Sequence, residues 1–389
     1  MNTLVLLPTV LLMQAQDALP ATQPALPGSA EEEELARALA EDQAARQAAA
    51  GTPQAMPQMS SAALLNPEIS VIGTFAGTFR RKDVAPSFTA GDDPGREGFT
   101  AQELELTFAA DVDPYFQMRT FLTIPNQEGI EVEEAYLVST SLPLNLLFKA
   151  GAFRSAVGRN NEQHLHMQEM ATRPRTTALL GDDGLRAPGV QLSALLPLPF
   201  FATLYGELLS LSDDLSFVVG TEGFFELSSR WSLAMGAHGA LLAPGAEEEE
   251  GDPLPAQPPD KYLVGGDVYL KWRPENVSAS YRWFSLTAEY LASKNKDADD
   301  WDGATYLQGV MQVARRVRLA ARVDLVGFPH AELRREVVAA ASLAFLATEF
   351  SRVRLTVEHS HDLDDESRRN QALFLQLEGT IGAHLAHPF

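Results

Sequence analysis

The chain of 389 residues has no cysteine, and after its first few residues it has no uncharged apolar run long enough to cross a bilayer as a helix. The first absence excludes a disulfide framework and thiolate metal ligands, and is compatible with an oxidising export route. The second excludes helical spans, which need about 18 or more apolar residues. Bases are scarce too: 30 Lys and Arg face 52 Asp and Glu, for a net charge of -22. Residues 1–66 carry seven acids and two bases, so -17 belongs to the rest. That balance excludes a nucleic-acid-binding surface and fits attraction of cations, or of divalent ions near an anionic lipid surface. Catalytic motifs are also missing. There is no Gly-x-Ser-x-Gly elbow, phosphate-binding loop or His-Glu-x-x-His, and no enzyme is expected.

The one long apolar run lies at the start, from Leu4 to Met13, with small residues at Ala15 and Ala18 and no Lys or Arg before it. Its size is that of a secretory leader core, which predicts a signal peptide over 1–18. A periplasmic linker over 19–65 follows, with a short charged helix from Glu31 to Ala50 whose four leading acids suit a helix N-terminus.

From residue 66 to 389 the period changes to two. Leu104, Leu106 and Phe108 alternate with Glu103, Glu105 and Thr107; Leu319, Val323 and Leu325 alternate with Arg318, Arg322 and Asp324. Charges at every second strand position are costly in a packed apolar core and need a water-filled lumen. Mean hydropathy of -0.10 agrees, because lipid-facing and lumen-facing residues average out along such strands. About 16 such strands can be drawn, joined alternately by short turns such as Asp113-Pro114 and Arg315-Arg316 and by long polar segments at 81–97, 154–188, 243–260, 292–303 and 360–370. The prediction is all-β: a transmembrane antiparallel β-barrel of about 16 strands in a bacterial outer membrane, its partners outer-membrane lipid and small solutes or ions. The last strand runs from Leu373 to Leu385, and the chain ends in Phe389.

The run from 66 to 200 resembles a porin-like family of Gram-negative outer-membrane proteins labelled zinc-regulated, and more loosely the phosphate-type porins. The matching pieces include Asn66-Pro67-Glu68-Ile69-Ser70, Val132-Glu133-Glu134-Ala135-Tyr136, Ala150-Gly151-Ala152-Phe153-Arg154, Gly158-Arg159-Asn160-Asn161 and His164-Leu165-His166. The resemblance implies a porin-like channel, with a homotrimer as the common assembly of 16-strand porins. The same family is sometimes labelled TonB-dependent, but such receptors need about 22 strands and a plug.

If the interval 154–188 folds into the lumen, Lys149, Arg154, Arg159, Arg173, Arg175, Asp182 and Asp183 are the charges that set selectivity at a constriction. Glu162, His164 and His166, spaced two apart, form one candidate zinc set; His359 and His361 form another, and His384 and His387 a third. No framework motif fixes a metal geometry, so no cofactor is expected. Two alternatives stand beside the channel: a metal-uptake protein using the His and acidic clusters, and a structural or adhesive barrel with a blocked lumen.

Overall fold

The computed structural model describes residues 67–81, 93–94, 96–126, 129–181, 184–211, 214–243, 260–275, 281–328, 335–365 and 367–382. The expected leader, the linker, Asp182, Asp183, His384, His387 and Phe389 lie outside these residues.

Sixteen antiparallel strands close into one barrel, each paired with its neighbours in sequence. They are β1 (Glu68–Arg80), β2 (Gly98–Asp111), β3 (Phe116–Pro125), β4 (Glu131–Ser139), β5 (Leu146–Arg154), β6 (Arg186–Leu195), β7 (Phe201–Ser210) and β8 (Leu215–Glu226). The second half comprises β9 (Trp231–Leu242), β10 (Lys261–Trp272), β11 (Trp283–Asn295), β12 (Asp302–Ala314), β13 (Val317–Val326), β14 (Glu336–Thr348), β15 (Ser351–Asp362) and β16 (Arg369–Gly382). Closure is made by β1 on β16, with Phe75 opposite Leu377 and Val71 opposite Ile381. A closed sheet leaves no edge, so strand amides pair along the wall without water, the condition for crossing hydrocarbon.

The period-2 pattern fixes which side each residue takes. On β15, Val353, Leu355 and Val357 are exposed while Arg352, Arg354, Thr356 and Glu358 are buried. On β16, Leu373, Leu375 and Leu377 are exposed while Phe374 and Gln376 are buried. Polar inside and apolar outside is the reverse of a water-soluble sandwich and is the inversion a lipid-facing wall requires. Aromatics mark both ends of the outer face. Trp231 and Trp272 pair across β9 and β10 beside Phe284 at one rim; Phe79 and Phe99 meet edge to face at 6.0 Å at the other. Such belts sit at membrane–water interfaces.

Both barrel ends of the chain, Glu68 and Gly382, return to the rim of short connections. There Asp113 Oδ1 accepts the amides of Tyr115 and Phe116 at 2.7 and 2.9 Å, closing the β2–β3 turn. The alternation of short and long connections is less regular than the sequence suggests. The loop expected at 292–303 shrinks to 296–301, because β11 and β12 keep pairing as far as Ser293 opposite Asp302. At the other end, β11 begins at Trp283.

Candidate functional site

The connection between β5 and β6, residues 155–185, does not project from the rim but folds into the lumen. Gly151 permits the departure. Its φ is +139°, and a Cβ there would lie 2.2 Å from the carbonyl oxygen of Ala135, so only glycine lets β5 lie this close to β4. The neck of the loop is stapled by Asn161. Its amide nitrogen donates to the carbonyls of Ser155 and Leu185 at 2.7 and 2.9 Å, and its Oδ1 accepts the Leu185 amide at 2.8 Å. Gly184 sits beside this staple with φ +77°, where a Cβ would meet Asn161 Oδ1 at 2.3 Å.

Each part of the loop is then tied to a different sector of the wall. Glu207 on β7 accepts from Ser155 Oγ at 2.5 Å and from the Ala156 amide at 3.0 Å. Arg159 pairs with Asp267 on β10 at 2.9 Å and lies over the Tyr269 ring. Glu289 on β11 accepts the Asn160 amide at 3.0 Å and Thr176 Oγ1 at 2.8 Å. Farther round, Thr172 and Arg175 donate to Glu358 on β15 at 2.5 and 2.8 Å. Asp324 on β13 accepts the Arg175 amide at 2.9 Å, and Arg322 reaches the Thr172 carbonyl at 2.7 Å. Arg354 caps the carbonyl of Gln168.

The remaining sector is closed by histidine. His164 Nδ1 faces Glu133 Oε2 at 3.1 Å and Glu105 Oε2 at 3.4 Å, while its Nε2 faces Glu134 Oε1 at 2.9 Å. His166 Nδ1 lies 3.1 Å from the same Glu105 oxygen. Burial opposes a charge on His164, but the Glu133 and Glu105 carboxylates outweigh it and hold the imidazole protonated well above its usual range.

The charges predicted to line a constriction thus divide. Arg154, Arg173 and Arg175 are buried between loop and wall: Arg154 grips Glu133 at 2.6 Å, and Arg173 donates to the Gln163 carbonyl at 2.7 Å. They do not line an opening: Arg154 and Arg175 are taken up by wall carboxylates and Arg173 by the loop's own backbone, pairings the sequence could not reveal. Lys149, Arg159 and Glu162 keep partial exposure, Arg159 while paired with Asp267 on the wall. Lys149 lies over the Tyr136 and Phe153 rings. Burial, with the Glu222, Glu207 and Glu134 carboxylates near, pushes Glu162 up to about 8 although Lys149 works against it.

The metal sets predicted from spacing also change. Glu162 does not join His164 and His166; its neighbours are Lys149 and other acids. His359 points outward beside Ala339 and Gln371, and His361 accepts from Arg369 Nε at 3.2 Å, so these two form no joint ligand set with an acid among the described residues. Instead Glu105, Glu133 and His164 bring three ligand atoms within 4.8 Å of one another. Glu105 and Glu133 escaped the sequence reading because strands far from the histidines carry them. Their inward parity was visible, but their pairing with this loop was not. Also missed were Glu222, Tyr269, Lys271 and Trp283, lumen-side residues of β8, β10 and β11; Lys271 and Arg318 both lie over the Trp283 ring.

No family model matches the chain. An uncharacterized protein of Aquifex aeolicus (strain VF5) is 31% identical over 343 residues, covering 76% of this chain and 71% of that one. This chain belongs to the family of that Aquifex protein. Among solved structures, the anion-selective porin of Comamonas acidovorans superposes with a TM-score of 0.56 at 8% identity, over 81% of this chain and 100% of that one. OprB of Pseudomonas putida gives 0.56 at 10% identity, over 81% and 94%. The outer-membrane protein OmpT of Vibrio cholerae, in its trimer form, gives 0.56 at 9%, over 81% and 99%. Identities this low establish the fold alone. Together with the apolar outer face and its aromatic belts, they place this member of the family in the bacterial outer membrane as a porin-type barrel.

Proposed function

We propose that the protein is a porin-like channel through which small hydrophilic solutes or ions pass with weak selectivity. The observation that carries this reading is the infolded loop, which reaches across the lumen yet leaves Lys149, Arg159 and Glu162 partly exposed. With Arg159 paired to Asp267 and Glu162 pushed toward its neutral form by burial, no strong field of one sign arises from the loop. Planar-bilayer recording tests the reading: resolved single-channel steps are expected, and their absence from protein shown to be a folded barrel by heat-modifiable gel migration would overturn it.

A blocked lumen is the second reading. It is supported by the spread of the loop's bonds over β7, β10, β11, β13 and β15 and the histidine sector at β2 and β4. It predicts current only after residues 160–180 are replaced by a short glycine-serine bridge. A zinc-uptake channel, the reading that the zinc-regulated family suggests, is a narrower form of the first. Cellular uptake of radiolabelled zinc tests it, and equal rates with and without the protein would remove it. We also place the protein in a homotrimer, with support from the trimer form of Vibrio cholerae OmpT; cross-linking that stops at a monomer would count against this.

A further inference from the structure

We propose that Glu105, Glu133 and His164 form a divalent transition-metal site, suited to zinc, that clasps the infolded loop onto β2 and β4. The spacing fits. Nδ1 of His164 is 3.1 Å from Glu133 Oε2 and 3.4 Å from Glu105 Oε2. Four ligands around zinc, with bonds of about 2.0–2.1 Å, stand about 3.3 Å from one another at tetrahedral angles. An ion among these three atoms would occupy the place that a proton holds on Nδ1.

The surroundings already orient each ligand. Glu133 gives its other oxygen to Arg154 at 2.6 Å, and Glu105 gives its other oxygen to Thr107 Oγ1 at 2.9 Å, so each carboxylate turns one oxygen toward the imidazole. Glu134 takes the far nitrogen of His164 and is itself fixed by the Arg154 amide at 2.9 Å. A carboxylate on the distal nitrogen of a metal-bound histidine is the usual outer-shell arrangement; it sets the tautomer and raises ligand basicity. His166 Nδ1, 3.1 Å from Glu105 Oε2, stands next to the fourth position, which a small shift of its ring or a water would fill.

Charge points the same way. With neutral imidazoles, Glu105, Glu133, Glu134 and Arg154 sum to two negative charges in a buried site whose floor is the Phe121 ring, 4.5 Å from that of His164. A dication cancels that excess where burial makes it costly. The set draws on three distant parts of the sequence, which is why spacing alone pointed to Glu162 instead.

The test is calorimetric titration of zinc chloride into the chelator-stripped, detergent-solubilised full chain. One equivalent per chain is expected. His164→Asn and Glu105→Gln should weaken binding at least tenfold, Glu134→Gln by about 10–100-fold as an outer-shell change, and His359→Ala with His361→Ala not at all. Heat-modifiable migration shows that each variant has folded. X-ray absorption of the zinc-loaded parent, which needs no variant, should show nitrogen and oxygen ligands with imidazole scattering. No binding by the parent, unchanged affinity in His164→Asn, or an oxygen-only shell would each overturn the site. These readouts do not depend on the barrel conducting, so failure of the channel reading leaves them interpretable.

Discussion

The infolded loop is held to the barrel by two anchors of different chemistry. On β13 and β15, guanidinium groups do the holding: the loop's Arg175 pairs with Glu358 at 2.8 Å beside Thr172, which donates to the same carboxylate, and the wall's Arg322 reaches the Thr172 carbonyl at 2.7 Å. On β2 and β4, two imidazoles face three glutamates. Both anchors are buried, and both tie a loop polar group to a wall carboxylate. Guanidinium stays charged at any physiological pH and offers several donors in a fixed plane, so the first anchor is permanent. Imidazole carries a charge only when protonated, and it can exchange its proton for a metal ion. One attachment of the loop is therefore unconditional and the other depends on what occupies the histidines.

The comparison can be broken first at the arginine anchor. Glu358→Ala leaves Arg175 and Thr172 without their shared acceptor in a buried site, and breaking such a pair costs about 3–5 kcal/mol. The midpoint of urea-induced loss of the folded gel band should fall clearly, and channel noise or conductance should rise as the loop loosens; an unchanged midpoint would show that the arginine anchor is dispensable. Next in size is Glu105→Gln at the histidine anchor. It keeps the shape and removes one charge from a carboxylate that two imidazoles share, so about 1–3 kcal/mol is at stake, less than at the first anchor. A loss larger than that of Glu358→Ala in the same urea series would invert the ranking. The smallest stability effect is expected at Lys149→Ala, which touches neither anchor and should stay within about 0.5 kcal/mol. Its effect should appear instead in the reversal potential under a salt gradient, displaced toward cation preference. An unmoved reversal potential would exclude Lys149 from the path of permeating ions.

Much of the barrel was legible from residues alone. The inward and outward parities of β2 and β13 agree with the sequence pattern, because a period of two leaves only one face for the charges. Strand ends were less legible. β11 and β12 continue into the expected loop at 292–303 because backbone pairing does not stop where side-chain alternation fades. The loop motif Gly158-Arg159-Asn160-Asn161 stood out in the sequence, and the reason lies in its neighbours: a left-handed glycine at Gly158, wall contacts from Arg159 and Asn160, and the neck staple of Asn161.

What the site residues do was less accessible. Arg154, Arg173 and Arg175 resemble pore-lining charges in sequence as much as Lys149 does. Whether an arginine faces water or a carboxylate depends on what the opposite wall presents, and the Arg175 partner Glu358 is 183 residues away. The sequence by itself determined a barrel of about 16 strands, its inside-out polarity and hence the membrane, since these follow from local periodicity and the need to pair backbone amides in lipid. Only the tertiary structure decided that the β5–β6 loop turns inward, which of its charges are spent on the wall, and that His164 meets Glu105 and Glu133 rather than Glu162. Those are meetings between distant strands, set by barrel closure and register, and no spacing along the chain encodes them.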